Sequence, residues 1–556
     1  MSERVDHNVG TRLAAMAARV PQQIAVAVPQ GRPGDAPRRY ARLTFQELHA
    51  DSDRIASGLL AYGIPPGSRL VLMVRPGLDF FSLVFALFKA RMVTVLIDPG
   101  MPRSQLVRCL EEVRPDGFVA IPLAQAIRTL LRTRFPAARH NVTVGSRWFW
   151  GGATLAQIRQ LGDRMPVASL TAADDPAAII FTSGSTGAPK GVLYSHRNFN
   201  AQIDQIRDFY GIAPGEVDLP GFPLFALFNA AMGVTTIVPD MDFTRPADVD
   251  PQRFLAAAEQ WQITQAFGSP ALWNTVGRHC ERTGERFTTL RRVLSAGAPV
   301  PIHVLERIRN ATREDADFHT PYGATEALPV ASISSREVFH ETAERSRAGA
   351  GTCVGRRFPG IEWRVIRIHD EPIATLEDAE SLPIGQIGEL MVRGPVVTKA
   401  YVTRTDANAD HKVSDGPHVW HRMGDVGYFD DRDRFWFCGR KSHRVVTAQG
   451  TMFTIPCEAI LNNHPHVYRS ALVGVGPRPQ QRPVMVVEPW PEHFPRDPIE
   501  RKQLLDELRS LAAANVLTAS IDDIRLQEQL PVDVRHNSKI FREKLAVWAA
   551  RTQRET

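Results

Sequence analysis

The sequence predicts an α/β protein: a large N-terminal domain of parallel α/β subdomains plus a small β subdomain, followed by a small α+β C-terminal domain. Three observations predict it. From Leu43 onward, helical and strand-like apolar patterns alternate, as in parallel sheets covered by helices. A buried strand, Ala177-Ala-Ile-Ile180, runs directly into Phe181-Thr-Ser-Gly-Ser-Thr-Gly-Ala-Pro-Lys-Gly191, a loop of hydroxyls and glycines. Beyond residue 360 the pattern changes to short alternating strands, Trp363–Ile368, Gly388–Arg393 and Arg434–Phe437, and then to a final α+β stretch.

The chain has 556 residues, 44 % hydrophobic and 23 % charged, which suits a globular enzyme with two or more cores. Its net charge of +6 comes from basic residues spread along the chain, with no dense block and no interleaved aromatic platform, so a nucleic-acid partner is not expected. Eight residues are lysine, which makes Lys190 and Lys539 conspicuous inside their motifs. Five widely spaced cysteines without a C-x-x-C pair read as free thiols in a reducing cytoplasm. No export signal opens the chain, and the apolar run Phe80–Phe88 is about half the ~20 residues that span a bilayer, so no transmembrane segment is expected.

In order, Leu13, Met16 and Val20 share one helical face; Thr44–Tyr62 reads as helix, Arg69–Val74 as strand, Leu78–Lys89 as helix and Val93–Ile97 as strand. Asp98-Pro99-Gly100 is a turn, and Phe118–Ile121 opens a second such unit. In the loop, glycines at 184, 187 and 191 let backbone N–H groups approach an anion, Thr182, Ser183, Ser185 and Thr186 add hydroxyl donors, and Lys190 adds a cation. That is a polyphosphate cradle. A solvated linker would not follow a buried strand, and the Walker pattern fails because Pro189 precedes the lysine and Gly191 follows it.

Gly221–Asn229 is apolar and aromatic, with Phe222, Phe225 and Phe228 as candidate pocket walls. Thr264–Pro270 and Arg292–Pro299 are strands stopped by small residues, leaving room for a flat ring at Gly268 and at Gly297, Ala298 and Pro299. His319–Glu326 supplies an aromatic, Tyr322, then Gly323, the hydroxyl of Thr325 and the carboxylate of Glu326. Arg336–Thr352 reads as a mobile loop, and Asp370–Glu380 as a patternless acidic insertion. Asp425 sits in an expected Gly-flanked turn, suited to accept two ribose hydroxyls.

Phe181–Gly191, Tyr322-Gly-Ala-Thr-Glu326, Met423-Gly-Asp425, Gly439-Arg440 and the tail Leu530–Arg542 follow one another as in the AMP-forming ligase superfamily of acyl-CoA synthetases, beetle luciferases and adenylation domains, which the chain resembles over about residues 40–545. The resemblance implies an N-terminal domain over 1–438, a hinge over 439–450 and a mobile cap over 451–556. It implies ATP and Mg2+, with residues 182–187 and Lys190 on phosphates, Gly297, Ala298, Pro299, Tyr322, Gly323 and Thr325 around the adenine, Asp425 and Arg440 on the ribose, Glu326 on the metal, and Lys539 as the adenylation lysine. Thr320–Pro329 together with Asp533–Lys539 resembles, more narrowly, the olefin-pathway β-lactone synthetases.

That narrower resemblance implies a long-chain 2-alkyl-3-hydroxy acid as the small-molecule substrate, with other olefin-pathway enzymes as partners. Where many family members carry a thiolation lysine this chain has Val446, and Ala226 stands at the gate histidine. The competing expectations are an acyl-CoA or acyl-carrier ligase, separable by a thiol requirement, and a nucleotide-binding protein without ligase activity.

Overall fold

The computed structural model describes residues 5–32, 38–98, 100–163, 170–182, 188–222, 225–532 and 539–552. A seven-stranded sheet holds, in order, Ala153–Thr154, His140–Thr143, Gly117–Ala120, Arg69–Met73, Val93–Leu96, Pro176–Phe181 and Gly191–Ser195. The helix Phe45–Ala61 starts where Thr44 accepts from the Glu47 amide while the Glu47 carboxylate returns to the Thr44 amide, a reciprocal cap. The helix Leu78–Lys89 buries every residue from Phe80 to Phe88, as an apolar run too short for a bilayer should. No helix among the described residues is long and apolar enough to cross a membrane.

Pro176–Phe181 is parallel to Val93–Leu96 on one side, as expected, and antiparallel to Gly191–Ser195 on the other. The two strands are tied at their junction, where Thr182 N donates to Lys190 O at 3.0 Å and Lys190 N to Thr182 Oγ1 at 3.1 Å.

The second sheet, of fourteen strands among the described residues, joins a parallel run through Asp317–Ala324, Arg292–Ser295, Gln265–Gly268, Val217–Asp218 and Thr235–Ile237 to antiparallel strands that include Thr352–Arg357, Arg434–Arg440, His418–Phe429, Gly388–Arg393 and Glu362–Ile366. The strands expected as a small β subdomain thus continue the larger sheet edge to edge. Residues from Val445 onward form their own apolar clusters around a three-stranded sheet, Val467–Val475, Arg482–Pro489 and Asp523–Leu526.

Two expectations are corrected. Arg336–Thr352 is no mobile loop: Ser335–Glu337, Val338–Thr342, Ala343–Arg345 and Ser346–Ala350 are successive helical turns. Val338, Thr342 and Ala343 are buried, Ser334 caps the first turn, and Glu337 and Glu341 pair with Arg434 at 3.1 and 2.7 Å, so the charges that suggested solvent are anchors. Asp425 lies within the strand His418–Phe429, paired with Arg440, rather than in a turn. The acidic stretch is a docking point as well, since Asp370 holds Arg444 at 2.6 Å.

Candidate active site

A cavity of about 2290 Å³ runs between the two large sheets and the C-terminal residues. Its lining includes Thr182, Lys190, Phe222, Phe225, Phe228, Gly297, Ala298, Pro299, Tyr322, Gly323, Thr325, Glu326, Asp425, Arg440 and Lys539. Residues from distant parts of the chain are therefore brought to one space. Ser183, Gly184, Ser185, Thr186 and Gly187 lie outside the described residues, as do 533–538 of the tail. Gly268 is not on the lining, although its neighbours Phe267 and Ser269 are. A Cβ there would meet Trp273 Nε1 at 2.8 Å, so the glycine serves packing behind the wall.

At the strand ends, where ligands of parallel sheets bind, Ser295 Oγ is buried without a hydrogen-bond partner among the described residues, next to the Gly297–Pro299 turn. Tyr322 donates its phenol hydrogen to Asp425 Oδ2, and Arg440 donates to Asp425 Oδ1 at 2.8 Å and to the Met423 carbonyl at 3.0 Å. Burial, reinforced by the Asp425 charge, drives the Tyr322 phenol well above its ordinary value, and Asp425 raises Arg440 further, so the trio stays a neutral phenol on an ion pair. A Cβ on Gly323 would meet the Ala327 carbonyl at 2.6 Å, which holds the backbone close here.

Beside this trio is a second set that sequence reasoning missed. Tyr401 donates to Glu326 Oε1 at 2.5 Å, while Thr398 donates its amide and hydroxyl to the Glu326 carbonyl at 2.9 and 3.1 Å. Lys190 Nζ lies 5.2 Å from the centre of the Tyr401 ring and 3.4 Å from His411 Nε2. Lys412 lies 5.5 Å from the same ring and donates to the Thr398 carbonyl at 2.6 Å. Burial lowers the Lys412 ammonium to about 7 against the pull of Glu326, and burial with Lys190 lowers His411 to about 4, leaving a neutral imidazole to accept from Lys190. The rarity of lysine was the signal available in the sequence for Lys412; nothing there joined Tyr401 to Glu326. No group of three or more His, Cys, Asp or Glu side chains able to hold a metal occurs among the described residues.

The aromatic wall is present: Phe225 stacks on Phe267 at 4.0 Å and meets Phe222 at 5.6 Å. Ala226 is fully buried off the lining, and Asn229 turns away to donate to Asp218 Oδ2 at 2.7 Å and Thr236 Oγ1 at 3.0 Å. Within the segment expected as the hinge, the Val446 amide donates to Gln481 Oε1 and the Gln481 amide donates to the Val446 carbonyl, both at 3.0 Å, and Arg478 donates to the carbonyls of Ser442 and Arg444 at 2.7 and 2.9 Å. Lys539 reaches the cavity from a segment anchored by Arg542, which grips both oxygens of buried Glu458 at 2.7 and 2.8 Å.

Residues 13–402 match the sequence family described as AMP-binding enzyme. The chain is 48 % identical over 551 residues to an olefin beta-lactone synthetase of Xanthomonas campestris pv. campestris, covering 98 % of this chain and 97 % of that protein. It is 46 % identical to an olefin beta-lactone synthetase of Stenotrophomonas maltophilia, covering 98 % of each. Among solved structures, the amide bond synthetase McbA from Marinactinospora thermotolerans superposes with a TM-score of 0.78 at 21 % identity, over 97 % of this chain and 99 % of that one. O-succinylbenzoate Coenzyme A synthetase from Bacillus subtilis, in complex with ATP and magnesium ion, gives 0.72 at 19 % identity, over 96 % and 98 %.

Proposed function

We propose, from the premise that the chain belongs to the AMP-binding enzyme family of AMP-forming ligases, that it activates a long-chain 2-alkyl-3-hydroxy acid as acyl-AMP and closes it to a β-lactone. The observation that carries this reading is the near full-length identity of 48 % and 46 % to two proteins named olefin beta-lactone synthetase.

A carboxylate is a poor acylating group because attack on it must expel oxide. Its oxygen attacks the α-phosphorus of ATP, diphosphate leaves, and the leaving group becomes a phosphate anion. Charge handling is the main demand on the protein. Lys190 and the loop before it hold the β- and γ-phosphates, Asp425 and Arg440 hold the ribose, and Tyr322 with the Gly297–Pro299 turn bounds the base. Lys539 offsets charge between the carboxylate and the α-phosphate. Glu326 would hold Mg2+, an ion that needs few protein ligands and would supply charge neutralisation at the phosphates. The 3-hydroxyl then attacks the acyl carbon, AMP departs with one carboxyl oxygen, and a four-membered lactone remains.

No external thiol is needed. Val446 offers no amine at the position used by thiolating relatives, and its backbone is engaged by Gln481; tethering gives the hydroxyl its effective concentration. Residues 451–556 act as a cap that closes over the site about a hinge at 439–450, with 1–438 holding the nucleotide. The five buried free thiols support a cytoplasmic setting, and other enzymes of the olefin pathway are its expected partners.

Purified protein incubated with ATP, Mg2+ and a 2-alkyl-3-hydroxy acid should yield lactone and AMP equally with and without coenzyme A, by mass spectrometry. A strict coenzyme A requirement with an acyl-CoA product would establish the acyl-CoA ligase reading instead.

A further inference from the structure

From Gly117 to Gly162 the chain holds six arginines and no aspartate or glutamate. This stretch builds one edge of the seven-stranded sheet. Its helix Pro122–Leu130 turns Leu123, Ile127 and Leu130 to solvent, 61 %, 46 % and 78 % exposed, at a spacing that puts them on one face. The neighbouring turn exposes Trp148 and Phe149 by 60 % and 70 %. The two segments adjoin, since a methyl on Gly145 would sit 3.7 Å from Pro122.

The patch is built on fixed supports. Trp150 is buried and donates Nε1 to Thr143 Oγ1 at 2.9 Å, and the rings of Trp148 and Phe149 rest 5.3 and 5.1 Å from it. Buried Gln125 ties the helix to the sheet through the carbonyls of Phe118 and Val142 at 3.1 and 3.0 Å. Single exposed apolar side chains need no explanation, whereas five on adjoining segments do. Arg132, Arg139 and Arg147 are exposed along the same stretch, as is Arg134, which pairs with Glu111 at 2.5 Å. On the inner side of the helix, Ile121 and Ala124 line the large cavity.

We propose that this face docks on the surface of an anionic lipid bilayer. Leu123, Ile127, Leu130, Trp148 and Phe149 enter the boundary between headgroups and acyl chains, and the arginines meet lipid phosphates. Charge complementarity selects this occupant, because the exposed arginines Arg132, Arg134, Arg139 and Arg147 outnumber the one carboxylate that pairs with them among the described residues, Glu111. A water-insoluble acid then passes from the bilayer past the helix whose other side walls the cavity; this delivery rests on the proposed substrate, while the docking does not.

The test is co-sedimentation of the full chain with vesicles of phosphatidylcholine alone or mixed with phosphatidylglycerol. Two double variants are compared, Trp148→Ser with Phe149→Ser and Arg132→Glu with Arg134→Glu, their folding checked by circular dichroism and by adenylation of a short, soluble 3-hydroxy acid. Expected are binding at least about tenfold stronger to the anionic vesicles, weakened by salt, and a loss of about tenfold in each variant. Absent binding, equal binding to both vesicle types, or wild-type binding by both variants overturns the proposal. So does a change of oligomeric state in the variants without vesicle binding, which would mark a protein interface. Vesicle binding without any lactone product would uphold the docking and refute the proposed function instead.

Discussion

Tyr401 donates its hydrogen to Glu326 at 2.5 Å while Lys190 rests over the same ring at 5.2 Å, so one phenol joins the loop cation to the proposed metal carboxylate. Burial and the Glu326 charge both raise the Tyr401 phenol, keeping it a donor at any working pH. Glu326 is therefore aimed before a nucleotide arrives.

Tyr401→Phe should leave the fold intact and remove that aim. A hydrogen bond to a charged group contributes roughly 1.5–3 kcal/mol, so adenylation should slow by about 10- to 100-fold. The Mg2+ concentration giving half-maximal diphosphate exchange should rise as well. A variant with unchanged magnesium dependence would show that Tyr401 only packs.

Lys539→Ala should slow adenylation by ~10²-fold or more, the scale for losing one preorganised charge-stabilising donor. Lys502→Ala, on the exposed side of the helix Pro498–Ala513, is the control and should behave as wild type. Lys441 is unsuitable as that control, because it bonds the His369 carbonyl at 3.0 Å and Glu389 at 3.2 Å within the proposed hinge. Equal losses at Lys539 and Lys502 in a diphosphate-exchange assay would refute the assignment.

Lys412 sets a pH dependence of stability. Its ordinary value of 10.5 applies to the unfolded chain, and burial lowers it to about 7 in the fold. Above 10.5 both states hold it neutral and its contribution is fully present. As pH falls through this window the unfolded chain takes up a proton that the folded one refuses, so stability drops until about 7 and then levels. Urea unfolding should therefore show a stability that climbs from pH 7 toward 10.5 in the wild type and a flatter curve in Lys412→Met. An unchanged slope in the variant would assign the effect to other groups.

Local pattern carried much of this in the sequence. The strand Pro176–Phe181, the strand ends at Gly297 and Tyr322, and the helix Leu78–Lys89 are each readable from a few neighbouring residues. What escaped depends on distance along the chain. Tyr401 meets Glu326 across 75 positions, and Lys190 meets His411 across 221, contacts that no periodicity encodes. Arg336–Thr352 misled because its charges pair with Arg434, a partner from another strand. Asp425 misled because flanking glycines suit a bulged strand as well as a turn, and Gly424 does take a left-handed φ of 67° within that strand.

In the proposed reaction the carboxyl group is adenylated and the 3-hydroxyl then closes the ring. Supplying the 2-alkyl-3-hydroxy acid with a heavy oxygen isotope at both carboxyl positions tests it most directly. Mass spectrometry should find one heavy oxygen in AMP and one in the lactone, as the carbonyl, with the ring oxygen light. Unlabelled AMP with both heavy oxygens retained in the lactone would mean that the hydroxyl, rather than the carboxylate, had been activated, and would contradict the account.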